Sequence, residues 1–391
     1  MKKNILIVIP AMISGGVEVS LVKFLKYLSK DKNLNIDLCL FERGGVNYKL
    51  IPNNVNIIDV NYKNDIYNFN NGIKDIIKYK GILKIKFLFF RILLKLKLLN
   101  DNWQGYYSLF LKKIIPIKKE YDLAIDYRGY GHLSSCFLAE KVNAKKKIMW
   151  LHDEKINWFY RVRIWIKFYD KFYCVSKAVM NKVSKEEKEI VEKLDIFYNL
   201  IDFEDIKKKS KEKVSIKFEN CLNIVTCGRL EEQKGYDIAV KIAKILDDNN
   251  IKFKWYILGD GSLKNDINKM ISDNNLNDNF ELLGNISNPF PYIKNADLYV
   301  QPSRHEGYGI AIAEARVLGV IPIATNLECV KEQITDGANG FLCDLDEKIF
   351  ANKIISLINN KKMYDKIKEN LKKDNFDFTY QFDKFYKLME E

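Results

Sequence analysis

Ser303-Arg304-His305-Glu306-Gly307-Tyr308-Gly309-Ile310-Ala311-Ile312-Ala313-Glu314-Ala315 follows a short apolar run, Asp297 to Gln301, that reads as a strand. Two glycines make the junction a loop, and Ile310 to Leu318 reads as a helix that is apolar apart from Glu314 and Arg316. A strand that feeds a glycine loop and then a buried helix is the repeating half of a parallel α/β sheet. The glycines let backbone approach a ligand, and the unpaired N–H groups of the helix's first turn favour an anion such as a diphosphate. Glu314 in this setting is costly to bury unless donors satisfy it; a vicinal diol such as a nucleotide ribose would supply two. A contact with Arg316 or with solvent is the plainer alternative.

The same rhythm runs outward in both directions. In the second half Leu222 to Cys227, Lys252 to Leu258, Phe280 to Leu283, Val320 to Ala324 and Gly340 to Cys343 read as further strands, with helical stretches between them. In the first half the strands are Asn4 to Pro10, Asn35 to Phe41, Val55 to Val60, Tyr121 to Tyr127, Lys147 to Leu151 and Lys171 to Ser176. A polar, Lys-rich stretch from Asp202 to Asn220 separates the two series, and residues 346–391 carry no further strand. The expectation is an α/β chain of two Rossmann-like parallel-sheet domains in series, with strand ends facing a cleft where ligands bind. We place the domains at 1–200 and 201–372, with a helix in 373–391 packing back on the first. A length of 391 residues and a composition 47% hydrophobic and 29% charged suit two packed cores and exclude a mainly disordered chain.

Charge is unevenly placed. The chain has 64 Lys and Arg against 51 Asp and Glu, a net +13. Residues 1–200 hold 36 basic and 20 acidic side chains, so they carry the whole excess. Residues 74–119 concentrate it: 12 Lys or Arg against Asp75 and Asp101, interleaved with Leu83, Phe87, Phe89, Phe90 and Leu94. That pattern suits contact with an anionic membrane surface or, more plainly, a solvated basic helix covering the sheet. Nucleic-acid binding would also explain the charge, though not the carboxylates and glycine loops.

Seven scattered cysteines without a C-x-x-C pair point to reduced thiols, and His132, His152 and His305 form no ligand pair, so neither a disulfide framework nor a structural zinc is expected. Ile5 to Ile9 is interrupted by Pro10 and reads as a buried first strand rather than a signal peptide. No stretch of 18 uncharged apolar residues occurs, so no membrane-spanning helix is expected. Asp344-Leu345-Asp346 could hold a metal, but its place after the last strand favours helix capping.

Two more glycine turns follow strands. Cys227-Gly228-Arg229-Leu230-Glu231-Glu232-Gln233-Lys234-Gly235 puts Arg229 and Lys234 at a strand's carboxyl end, where fixed cations could neutralise a departing diphosphate. Ser14-Gly15-Gly16-Val17-Glu18 follows the first strand and feeds a helix. The G-x-G-x-x-G dinucleotide fingerprint is missing: Gly259-Asp260-Gly261 has Lys264 where its third glycine would fall. No G-x-x-x-x-G-K-[ST] stretch occurs either, which disfavours a Rossmann dehydrogenase and a P-loop NTPase.

Together these residues resemble the retaining GT-B glycosyltransferases of family 4. The resemblance rests on the E-x7-E pair Glu306 and Glu314, the Gly228 to Gly235 stretch, Gly259-Asp260-Gly261 and Gly15-Gly16. It implies transfer of a hexose or N-acetylhexosamine from a nucleotide sugar, with UDP the expected base, to a saccharide acceptor in surface polysaccharide, capsule or lipopolysaccharide synthesis. By that resemblance Arg229 and Lys234 hold the diphosphate, Glu306 the sugar hydroxyls and Glu314 the ribose. Gly15, Gly16, Gly228, Gly259, Gly284, Gly307, Tyr308 and Gly309 line the donor, and His152 in Trp150-Leu151-His152 lies near the transferred sugar, although a histidine at a strand end is often structural. No metal or other cofactor is expected. The basic first half adds a lipid-linked acceptor, an anionic membrane and no nucleic acid as partners, and a cytoplasmic enzyme peripheral on the inner face of the membrane. A sugar-nucleotide epimerase or phosphorylase of the same fold is the alternative.

Overall fold

The computed structural model describes residues 2–13, 15–60, 92, 103–129, 131–156, 159–374 and 377–390. The basic stretch expected at 74–119 therefore lies outside the described residues over most of its length. The chain divides into two compact units: residues 1–175, 179–197 and 380–391 form the first, and 176–178 with 198–379 form the second. The polypeptide thus changes unit at Phe197 and Tyr198, and residues 373–379 belong to the second unit.

The first unit is built on a seven-stranded sheet in the order β3-β2-β1-β4-β5-β6-β7. Its strands are β1 (Lys3–Ile9), β2 (Leu34–Leu40), β3 (Asn56–Asp59), β4 (Ile117–Asp126), β5 (Val142–Leu151), β6 (Lys171–Cys174) and β7 (Leu194–Ile196). All neighbours pair in parallel. Ile5 to Ile9 are wholly buried, as a strand covered on both faces requires. Sequence reading missed β7, whose three half-buried residues follow a charged stretch. It also began β4 and β5 too late, because their first halves are polar and pair with each other, Ile117 opposite Val142 and Glu120 opposite Asn143. Helix α1 (Gly16–Leu28) buries Leu21, Phe24, Leu25 and Leu28. The chain's last helix packs here: Phe382 lies against Phe24 and stacks on Tyr27, and Lys384 pairs with Asp195 at 3.0 Å.

The second unit carries a six-stranded parallel sheet in the order β10-β9-β8-β11-β12-β13. Its strands are β8 (Leu222–Cys227), β9 (Phe253–Leu258), β10 (Phe280–Gly284), β11 (Leu298–Gln301), β12 (Ile321–Thr325) and β13 (Phe341–Cys343). These fall within a residue or so of the positions read from sequence. The stretch 202–220 is more than a connector. Asp202 caps a helix, Phe203–Lys209, by accepting from Asp205 N at 3.0 Å, and Ile206 of that helix is buried in the unit. Asp346 caps the helix Glu347–Ile358 through Lys348 N and Ile349 N. Strand order reverses between β1 and β4 in one sheet and between β8 and β11 in the other, and ligands of open parallel sheets gather at the carboxyl ends there. Among the described residues no helix is long and apolar enough to cross a membrane.

Candidate active site

In the second unit the two loops that leave the β8/β11 reversal meet. Lys234, on the loop after β8, places Nζ 2.7 Å from Oε1 of Glu306, on the loop after β11. That same Oε1 also accepts from Ser303 Oγ at 2.7 Å and from Gln301 Nε2 at 2.5 Å. Glu306 is only 5% exposed, a burial its charge tolerates because three donors converge on it. All three take one oxygen. Among the described residues Oε2 accepts no hydrogen bond, and it is not a sealed orphan either. A fixed carboxylate with one unused oxygen can accept from a ligand's hydroxyls.

The loop carrying Glu306 is tied through its own carbonyls. Cys329 Sγ donates to Glu306 O at 3.2 Å, Ser176 Oγ to Gly307 O at 2.8 Å, and Gln333 Nε2 to Tyr308 O. Gly309, at φ +81°, turns the chain into the helix Ile310–Val317. The partner loop is equally constrained. Gly235 sits at φ +67°, where a Cβ would lie 1.9 Å from Pro302 O; that glycine lets the β8 loop press against the β11 loop. At Gly259 a Cβ would meet Gly228 O at 1.8 Å, so the ends of β8 and β9 touch backbone to backbone, and Gly259 N donates to Gly284 O at 2.8 Å. Tyr236, whose phenol burial pushes far up, donates to Gly228 O at 2.7 Å.

Glu314 is 6% exposed on the helix Ile310–Val317. Its charge reaches the end of β8: burial, then the Glu314 carboxylate, pushes the Cys227 thiol up to about 12, and Lys234 works against them. Arg316 on the same helix is bonded to Asp374. Its guanidinium donates through Nε and Nη2 to Asp374 at 2.9 and 2.6 Å. Arg229 stands apart from the Lys234 and Glu306 pair, half exposed and bonded to Glu231 at 2.8 Å. The structure therefore gathers Gly228, Lys234, Gly259, Gly284, Glu306, Gly307, Tyr308 and Gly309 at the carboxyl ends of the sheet's strands, with Glu314 on the helix that follows. It leaves Arg229 turned to its own loop.

Sequence reading passed over Gln301, Ser303, Ser176, Cys329 and Gln333. Only Gln301 carried a signal, as the one polar side chain of the buried strand Leu298–Gln301. In the first unit, Gly15 and Gly16 open α1 after β1. His152, just past β5, places Nε2 2.7 Å from Tyr127 O; since a carbonyl only accepts, Nε2 carries the proton. Burial, with the charge of Arg128, holds the His152 pKa down at about 3, so the ring is neutral.

Residues 207–374 match the family model "Glycosyl transferases group 1". That stretch is a glycosyl transferases group 1 domain, and the two parallel-sheet units have the GT-B fold. The chain is 25% identical over 402 aligned positions to the uncharacterized glycosyltransferase MJ1069 of Methanocaldococcus jannaschii, covering 96% of this chain and 95% of that one. The N-acetylgalactosamine-N,N'-diacetylbacillosaminyl-diphospho-undecaprenol 4-alpha-N-acetylgalactosaminyltransferase of Campylobacter jejuni is 28% identical over 40% of this chain and 41% of its own. The matched stretch spans 60% and 56% of two further archaeal relatives. Among solved structures, Anabaena Alr3699/HepE in complex with UDP and glucose superposes on this chain with a TM-score of 0.69 at 16% identity, covering 99% of both chains.

Proposed function

We propose that this glycosyltransferase moves a hexose or N-acetylhexosamine, with retention of anomeric configuration, from a nucleotide diphosphate sugar to a saccharide acceptor in bacterial surface polysaccharide, capsule or lipopolysaccharide synthesis. UDP is the donor base, the acceptor is lipid-linked, and the enzyme is peripheral on the inner face of the membrane. The observation that carries the reading is the Lys234 and Glu306 arrangement at the β8/β11 reversal: a cation, and a carboxylate with one unused oxygen, held side by side. A nucleotide sugar presents a diphosphate beside sugar hydroxyls, and those two groups want those two partners.

Breaking the bond from anomeric carbon to phosphate builds negative charge on the leaving diphosphate. Lys234 and the first turn of the helix after Gly309 supply preorganised positive potential there, and Arg229 joins them by leaving Glu231. Glu306 accepts from the sugar hydroxyls through Oε2, and Glu314 from the ribose. Retention fits same-face attack in which a phosphate oxygen takes the acceptor's proton, with no metal required. The Campylobacter relative, whose name specifies a diphospho-undecaprenol acceptor, and the excess basic charge of residues 1–200 support the lipid-linked acceptor and membrane surface.

The test is a thermal-shift screen of UDP, GDP and ADP sugars, followed by product analysis with each hit. A UDP-hexose or UDP-N-acetylhexosamine should stabilise the protein by mass action, and an α-linked product from an α-linked donor should form. An isomerised nucleotide sugar formed without acceptor would favour an epimerase instead. Binding to anionic vesicles that weakens with salt is expected; equal binding to neutral vesicles would remove the membrane part of the reading.

A further inference from the structure

We propose that Arg128 is a ligand-binding cation of the first unit, oriented by Glu18 so that its remaining N–H groups donate to a phosphate oxygen. Arg128 lies two residues past the end of β4 and Glu18 in the first turn of α1, so the pair marks the β1/β4 reversal, the first sheet's own ligand position. The Glu18 carboxylate is buried at 2% exposure and folds back over Gly15, where a Cβ would come within 2.5 Å of Oε2. Oε1 accepts from Arg128 Nη1 at 3.1 Å. That single bond is the only one the guanidinium makes among the described residues, and the side chain is 31% exposed.

A guanidinium has five N–H donors in a rigid fork. A structural partner for Glu18 would spend two of them on a bidentate pair, as Arg304 does with Asp237 at 2.8 and 2.7 Å. Arg128 spends one, and its side chain is partly exposed. The acidic side chain nearest to it in sequence is already engaged. Asp126, at the end of β4, is wholly buried and taken by Ser135 Oγ at 2.5 Å, Ser134 Oγ at 3.3 Å and Gly129 N at 3.2 Å. His152, fixed by the carbonyl of Tyr127 immediately before Arg128, and His132 are both neutral. A forked cation with spare donors beside uncharged rings fits a phosphate better than a neutral sugar face.

The inference rests on the nucleotide-sugar reading. The phosphate belongs either to the donor's diphosphate or to a phosphate on the acceptor. The full chain would be titrated calorimetrically with UDP and, in detergent, with a short prenyl phosphate against the matching prenol. Arg128→Gln would be compared with Lys118→Gln, which removes the same charge from an exposed position on β4. Weakening of about tenfold or more in Arg128→Gln, with Lys118→Gln unchanged, is expected for one phosphate probe. Loss confined to UDP assigns the donor, and loss confined to the prenyl phosphate assigns the acceptor. A folded Arg128→Gln with wild-type affinity for both overturns the proposal. Should that variant fail to fold, Arg128→Lys keeps the charge toward Glu18 and loses the fork, and the same comparison decides. Wild-type protein that binds no nucleotide and transfers no sugar overturns the nucleotide-sugar reading itself, a distinct outcome.

Discussion

Lys234 and Glu306 belong to loops 72 residues apart, yet Nζ and Oε1 lie 2.7 Å from each other. Lys234 thus holds the carboxylate it stands beside as well as offering its charge to a ligand. Replacing Lys234 by Ala should lower kcat by about 10² to 10³, the usual cost of one preorganised donor. Circular dichroism should stay that of the wild type, because Gln301 and Ser303 still hold Glu306. Undiminished turnover in Lys234→Ala would remove Lys234 from the chemistry.

Gly235 is where those two loops press together. Gly235→Ala puts a methyl 1.9 Å from Pro302 O and 3.0 Å from Pro302 C at a positive φ, and both contacts are backbone. The loops must part, so we expect a loss of more than about 1 kcal/mol of stability and a rise in donor KM together. Thermal melts and donor kinetics check this; a variant with unchanged melting and KM would mean the loops are not locked.

Arg316 and Asp374 form an ion pair whose side chains are 10% and 15% exposed. Removing one partner leaves the other charge nearly buried, so Arg316→Met should destabilise the protein by about 3 kcal/mol. The pair closes the helix of Glu314 against the segment following the helix Lys361–Leu371, so chemical denaturation, rather than the chemical step, should register the change.

Acid should unfold the first unit through its histidines. Burial, with Arg128 and, for His132, Arg161, holds His132 at about 4 and His152 at about 3, below the ordinary 6.5. The folded state therefore binds fewer protons than the unfolded chain, and stability is full above pH 6.5 and falls as pH drops toward 4. Asp126 runs the other way: burial raises its carboxyl to about 6, so its contribution is full below the usual carboxylate range and is lost as pH rises through 6. Denaturant melts between pH 4 and 7 should show a net gain with pH that shrinks in His132→Phe and grows in Asp126→Asn.

The parallel-sheet pattern of both halves was legible in the chain because strands covered on two faces, such as Ile5 to Ile9 and Leu298 to Val300, are continuous apolar runs with glycine turns after them. The pairing of Glu306 with Glu314 across one loop and helix was legible for the same reason: it is local. Tertiary structure alone decided which distant groups meet. It gave Lys234 rather than Arg229 to Glu306, Asp374 to Arg316, and Glu18 to Arg128. Residue spacing fixes direction only along one element, whereas these partners are set by strand order and by how closely glycine backbones let neighbouring loops approach.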